Sequence, residues 1–157
     1  MEQLARAEKL RRLGLTPTIQ RLAILEYLEG TVSHPTADEV LSHVQKKYPT
    51  MSRATVYNTL DALTKAGGIL RVTVDPAVAR YDADVEPHIH FRCRICGTVY
   101  DIAVDREQDL AEHANGHRIE SVRTYAYGVC STCAGEAESI RAKLEDASHE
   151  SSLGGGK

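Results

Sequence analysis

The chain has 157 residues, 42% hydrophobic and 26% charged, a composition of one or two small folded units that excludes a disordered polymer. Charges recur through the first thirty residues and no run of ~18 apolar residues occurs, which excludes a secretory signal and a membrane span, so the chain reads as cytoplasmic with no membrane partner. The net charge of −3 divides unevenly: residues 1–80 carry 11 Lys and Arg against 8 Asp and Glu, residues 81–157 carry 8 against 14, as a weakly basic module joined to an acidic one would.

Leu4, Ala7, Leu10 and Leu13 recur at helical spacing ahead of Gly14 and predict a first amphipathic helix. Thr16 is the expected N-cap of a second, with Pro17 at its first position and a stripe of Ile19, Leu22, Leu25 and Leu28 closing near Gly30. Thr36-Ala37-Asp38-Glu39 matches a capping box, so a third helix starts there and stops before Pro49. Ser52 caps a fourth, with Met51 and Val56 placed as a hydrophobic staple and Gly67-Gly68 at its end.

The faces of this fourth helix separate cleanly. Val56, Leu60 and Leu63 share one side, which leaves Thr55, Tyr57, Asn58 and Lys65 pointing away, where they could reach base edges and phosphates in a major groove. Residues 69–74 then alternate like a strand, Asp75-Pro76 is a turn, and residues 79–81 return as a second strand. Short helices followed by a hairpin are the order of a winged helix-turn-helix with the fourth helix as reader; the plainer alternative is a helical core carrying a hairpin.

The four cysteines form two CxxC pairs, Cys93/Cys96 and Cys130/Cys133, separated by 33 residues. Four thiolates complete a tetrahedral zinc shell with no open position, which is the composition of a structural site. A gap this long must hold secondary structure of its own, read as a strand over 98–104, a helix over 106–115 closed by Gly116, and a strand over 118–129. A disulfide is disfavoured by the cytoplasmic address, and two pairs do not suit a thioredoxin-like motif.

His88 and His90 are two apart on an expected strand, so both imidazoles point to one face. Asp82 lies at the exit of the hairpin, Asp101 on the strand after the zinc turn, and His34 in the loop before the third helix. Together they would form an N/O set without thiolate, suited to Fe²⁺, Mn²⁺ or Zn²⁺. Each alone is equally well a solvated or core side chain. His43, His113, His117 and His149 read as surface residues; His113 and His117 are four apart but lack the Glu of an HExxH motif.

Across residues 3–135 the chain resembles the ferric uptake regulator superfamily. The matching segments are Leu15-Thr16-Pro17 with Gln20-Arg21, His34-Pro35-Thr36-Ala37-Asp38-Glu39, Ser52-Arg53-Ala54-Thr55-Val56-Tyr57-Asn58, Arg80-Tyr81-Asp82, His88-Ile89-His90-Phe91-Arg92-Cys93 and Tyr127-Gly128-Val129-Cys130. The resemblance implies an α+β fold, with an N-terminal winged-helix DNA-binding domain over 1–83, a C-terminal α/β dimerisation domain with structural Cys₄ zinc over 84–147, and a flexible tail over 148–157. It implies a regulatory metal at His34, Asp82, His88, His90 and Asp101, and a homodimeric repressor that reads a pseudo-palindromic operator in double-stranded DNA. Iron-uptake regulators commonly carry Glu at the two acidic positions; peroxide-sensing repressors resemble this chain, with Asp at both. A further site of some iron regulators is implied to be missing, since Ile89 stands between the paired histidines and no His lies between Arg118 and Cys130.

By the same resemblance Arg53, Lys65 and Arg21 would hold phosphates, and Tyr57 and Asn58 would approach bases, Tyr57 against thymine methyl groups. With Fe²⁺ bound, peroxide would oxidise His34 or His88 and release the DNA, a single-use sensor and not a turnover enzyme; with Mn²⁺ repression would persist. The rival readings are an iron- or zinc-uptake regulator that senses occupancy alone, a metal-dependent hydrolase, and a zinc-stabilised interaction module.

Overall fold

The structure, a computed structural model, describes residues 1–103, 118 and 122–136. Four helices lead: α1 (Glu2–Arg12), α2 (Ile19–Glu29), α3 (Ala37–Gln45) and α4 (Arg53–Lys65). A two-stranded antiparallel hairpin follows, β1 (Leu70–Asp75) with β2 (Val78–Asp82), and forms the wing. A second sheet has the order β4-β3-β5, from β3 (His88–Cys93), β4 (Val99–Ala103) and β5 (Thr124–Gly128). β3 runs antiparallel to β4 and parallel to β5. Residues 131–136 are helical. The fold is therefore α+β, a winged helix followed by a sheet lobe with four clustered cysteines.

The local signals act through identifiable caps. Thr36 Oγ1 accepts the Glu39 N–H at 3.2 Å while the Glu39 carboxylate accepts the Thr36 N–H at 2.6 Å, a complete capping box. Ser52 accepts the Thr55 N–H at 3.1 Å and starts α4. The cap of α2 is Thr18, not Thr16: its hydroxyl accepts the Arg21 N–H at 3.3 Å. Either threonine suits the position, and tertiary packing selects the later one, so Pro17 lies outside the helix.

The helices bury one core of Leu10, Ile24, Leu25, Leu28, Val40, Val44, Val56, Leu60, Leu63 and Ile69. Each such side chain contributes about 1.5–3 kcal/mol by leaving water. Leu4 and Ile19, expected in the buried stripes, are exposed; each sits in the first turn of its helix. Met51 and Val56 both join the core, as the staple requires.

The wing belongs to both lobes. Its strand β1 alternates buried and exposed residues, and Leu70, Val72 and Val74 pack with Val99 and Tyr125 of the sheet lobe in a separate apolar cluster. Of the strand expected over 118–129, the described residues pair with β3 over Thr124–Gly128. The expected helix over 106–115, Gly116, His113, His117, His149 and the tail from 148 lie outside the described residues.

Candidate metal centre and nucleic-acid interface

Four elements deliver five side chains to one point between the lobes. His34 comes from the loop before α3, Asp82 from the end of β2, His88 and His90 from β3, and Asp101 from β4. Period-2 alternation puts both β3 imidazoles on one face, and the β3–β4 register sets Asp101 opposite His90. One ligand atom from each of the five lies within 4.8 Å of every other. His34, Asp82 and His90 are buried.

The contacts have the geometry of donors aimed at a shared centre. Asp82 Oδ2 is 3.1 Å from His88 Nε2, 3.3 Å from His90 Nε2 and 3.7 Å from His34 Nε2. Asp101 Oδ1 is 2.8 Å from His34 Nε2 and 3.4 Å from His88 Nε2. The close His34–Asp101 approach is nevertheless out of hydrogen-bonding alignment, and both ring nitrogens of His34 are buried with no hydrogen-bond partner. His88 Nε2 stands 3.0 Å from His90 Nε2. Because the Glu86 carbonyl can only accept, His88 Nδ1 donates to it at 2.8 Å, which leaves the Nε2 lone pair of the neutral ring facing inward.

Burial pushes the Asp82 carboxyl up, but hydrogen bonds from His90 and from the Asp84 backbone N–H, with the nearby His34 and His88, hold it below its ordinary value. The acid is therefore a carboxylate at neutral pH. Buried imidazole lone pairs beside two carboxylates, with orphaned nitrogens, fit a divalent cation with N/O preference such as Fe²⁺, Mn²⁺ or Zn²⁺.

The second cluster holds all four cysteines, unoxidised, with Sγ atoms within 4.8 Å of one another. A zinc–sulfur tetrahedron with bonds of about 2.3 Å has edges of about 3.8 Å. Cys96 and Cys130 Sγ stand 3.9 Å apart. β3 ends at Cys93, and Gly97, at φ +75°, lets the chain reverse so that Cys93 N–H reaches the Thr98 carbonyl at 3.0 Å. The Cys130 backbone N–H, above all, and that of Cys96 lower the Cys93 thiol to about 6. Hydrogen bonding to Cys130, with burial, pushes Cys133 up to about 12. Four free thiols converging at this spacing, one of them met by backbone N–H donors, fit a tetrahedral zinc shell.

The face of α4 away from the core carries the nucleic-acid candidates. Tyr57 and Asn58 are exposed and line a cleft of about 570 Å³ with Asp38, Arg71, Val78 and Tyr81, between α4 and the wing. Several candidates already have protein partners. Arg53 pairs with Asp38 at 2.8 Å, Tyr57 Oη donates to the same carboxylate at 3.4 Å, and Lys65 pairs with Asp61 at 2.7 Å. Such exposed pairs are worth about 0–1 kcal/mol and exchange readily for phosphate. The Thr55 hydroxyl is half-buried and shared with Ser52 at 2.8 Å, and Arg21 folds back to donate to the Thr16 carbonyl at 2.9 Å, so these two point less directly outward. His43 is exposed and stacks on Tyr27, with ring centroids 3.8 Å apart.

Among the described residues no helix is long and apolar enough to cross a membrane. The profile of the ferric uptake regulator family matches residues 12–127. The peroxide operon regulator of Bacillus subtilis is 38% identical over 129 residues, which covers 80% of this chain and 89% of that protein. The solved structure of the Campylobacter jejuni peroxide stress regulator superposes with a TM-score of 0.64 at 29% identity, covering 85% of this chain and 98% of that one. A zinc uptake regulator complexed with zinc and DNA superposes with a TM-score of 0.66 at 25% identity, covering 88% and 96%.

Proposed function

The chain belongs to the ferric uptake regulator family, and from that premise we propose that it is a metal-dependent, homodimeric transcriptional repressor that responds to peroxide in the cytoplasm. Residues 1–83 form the DNA-binding domain, 84–147 the dimerisation and metal-binding domain, and 148–157 a tail. The observation that carries the proposal is the meeting of His34 from the reading lobe with His88, His90 and Asp101 from the sheet lobe, around Asp82 at the junction. These five side chains would hold one divalent cation between them, and His34 of the reading lobe would then be fixed against His88, His90 and Asp101 at one relative angle. In a dimer that angle sets the distance between two reading heads, and hence the half-site spacing of a pseudo-palindromic operator. A coupling of about 1–3 kcal/mol between the sites changes operator affinity about 5- to 150-fold.

Cys93, Cys96, Cys130 and Cys133 hold structural zinc, and His34, Asp82, His88, His90 and Asp101 hold Fe²⁺ or Mn²⁺. Fe²⁺ supplies, when bound, the redox chemistry that activates peroxide. The chain supplies the oxidisable groups: one peroxide oxygen enters an imidazole C–H bond of His34 or His88 and the other leaves as water, a net two-electron oxidation. The altered ring no longer ligates as before, the lobes part and the operator is released. Arg53 and Lys65 hold phosphates, with Arg21 beside them; Tyr57 and Asn58 meet base edges and Thr55 supports them from the helix start. The likeness to regulators named for peroxide and the aspartates at both acidic positions support this sensing chemistry.

Operator binding titrated with Fe²⁺, Mn²⁺ and Zn²⁺, with and without peroxide, tests the proposal. Expected are metal-dependent binding, loss after peroxide in the Fe²⁺ sample alone, and +16 Da on His34 or His88 by mass spectrometry. Binding that follows occupancy and ignores peroxide makes the chain a metal-uptake regulator.

A further inference from the structure

His34 is the one ligand whose backbone is out of the ordinary. It stands at φ +50°, the left-handed region, and is the one described residue other than glycine with positive φ. A residue with a side chain is disfavoured there, and the Pro35 that follows favours extended backbone instead. Something must hold the loop in this shape. Arg80 Nη1 donates to the His34 carbonyl at 2.9 Å, across 46 positions of sequence, and lies 3.7 Å from Glu39 Oε2. The same stretch of β2 grips the loop through its backbone: Tyr81 N–H donates to the Pro35 carbonyl at 2.9 Å, and Thr36 bridges to Arg80.

We propose that Arg80 is a positioning residue for His34: its guanidinium, braced by Glu39, holds the His34 carbonyl so that the loop keeps the left-handed backbone that aims the imidazole at Asp82 and Asp101. The proposal rests on the reading of the five side chains as one cation site. Alternation along β2 places Arg80 and Asp82 on the same face, so one strand both supplies a ligand and sets another. The His34 ring itself is buried with neither nitrogen hydrogen-bonded, so its aim is set through its backbone. Releasing this clamp allows the loop to relax to extended backbone and swings His34 outward, leaving Asp82 at the junction with His88, His90 and Asp101 of the sheet lobe.

The test uses the full chain with its zinc, as wild type, Arg80→Met, Arg80→Lys, His34→Ala and the double variant Arg80→Met/His34→Ala. Mn²⁺ affinity is read from free Mn²⁺ by electron paramagnetic resonance, and amide exchange is read on the metal-free proteins. Arg80→Met is expected to weaken Mn²⁺ binding roughly 10-fold, as outer supporting partners of ligands typically do, and Arg80→Lys to recover part of it. The double variant should bind no worse than His34→Ala, since the clamp acts only through that ligand. In metal-free Arg80→Met the amides of residues 32–34 should exchange roughly fivefold faster, with α2 and α4 unchanged.

Mn²⁺ affinity within about twofold of wild type in Arg80→Met, or losses that add fully in the double variant, overturns the clamp. Failure of wild type itself to bind Mn²⁺ overturns the cation site instead; the exchange rates then decide the clamp alone, with unchanged loop exchange overturning it and faster exchange supporting it.

Discussion

His90 and Tyr125 face each other across the parallel β3–β5 pair, with ring centroids 6.1 Å apart, and the Tyr125 hydroxyl reaches the wing, 3.2 Å from Thr73 N and from Thr73 Oγ1. Tyr127 Oη donates to the Val74 carbonyl at 3.1 Å, and Arg92 of β3 pairs with Asp75 of the wing at 2.8 Å. The strand that carries two of the proposed metal ligands is therefore tied to the wing directly at Arg92 and through its neighbour β5 at Tyr125 and Tyr127. On the proposed function, this seam is a second route, besides His34, by which the cation site would act on the DNA-reading lobe.

Removing the seam's tyrosine hydroxyls without touching a ligand isolates their part in the coupling. Tyr125→Phe/Tyr127→Phe keeps the rings and deletes three hydrogen bonds worth about 0.5–1.5 kcal/mol each when well shielded, and less here because both residues are partly exposed. Mn²⁺ affinity should stay within a few-fold of wild type, while the ratio of operator affinities with and without Mn²⁺ falls. Fluorescence anisotropy on a labelled operator reads that ratio, and an unchanged ratio would assign the coupling to His34 alone.

The cysteine cluster should behave as a folding element. Cys93 and Cys130 are buried at the end of β3 and beyond β5, so a cation held by the four thiolates would join the two CxxC turns. Structural zinc contributes several kcal/mol of folding free energy, of the order of the whole stability of a small domain. Metal analysis of purified protein should give one zinc per chain. Cys96→Ser, or stripping with a strong chelator, should remove that zinc and lower the thermal midpoint by at least ~10 °C. Retention of zinc and midpoint in Cys96→Ser would refute a four-thiolate site.

On the reading face, two substitutions should separate positioning from recognition. Arg53 is exposed and paired with Asp38, and on the proposed function it would exchange that partner for a phosphate, so Arg53→Ala should weaken binding to any duplex and reduce the slope of log affinity against log salt by about 0.9. Tyr57→Ala should weaken the operator more than random DNA, by about 1–3 kcal/mol, and leave the salt slope unchanged. A Tyr57→Ala loss equal on both duplexes would move Tyr57 from base edge to backbone.

The parts of this architecture legible in the sequence are those set by local chemistry. The capping box at Thr36 and Glu39, the staple of Met51 and Val56, the two apolar and polar faces of α4 and the HxH pair on one strand face all follow from spacing within a few residues. Where two local choices were equivalent, as with Thr16 and Thr18, only packing could decide. The wing's apolar cluster needs Val99 and Tyr125, contributed from far along the chain, and nothing in the alternation of β1 shows which partner covers it. Arg80 read as one strand residue among others, because its role depends on a carbonyl 46 positions away and on a backbone angle that sequence does not display.

The central claim is that one cation takes ligands from both lobes at once. Crystals of the zinc-containing protein soaked in Mn²⁺, with diffraction collected at the manganese edge, test it directly. The expected result is a single strong anomalous peak per chain within coordinating distance of His34, His88 and His90 Nε2 and of an oxygen from each of Asp82 and Asp101. A peak bound by His88, His90 and Asp101 while His34 turns away, or no peak at this junction, would contradict it.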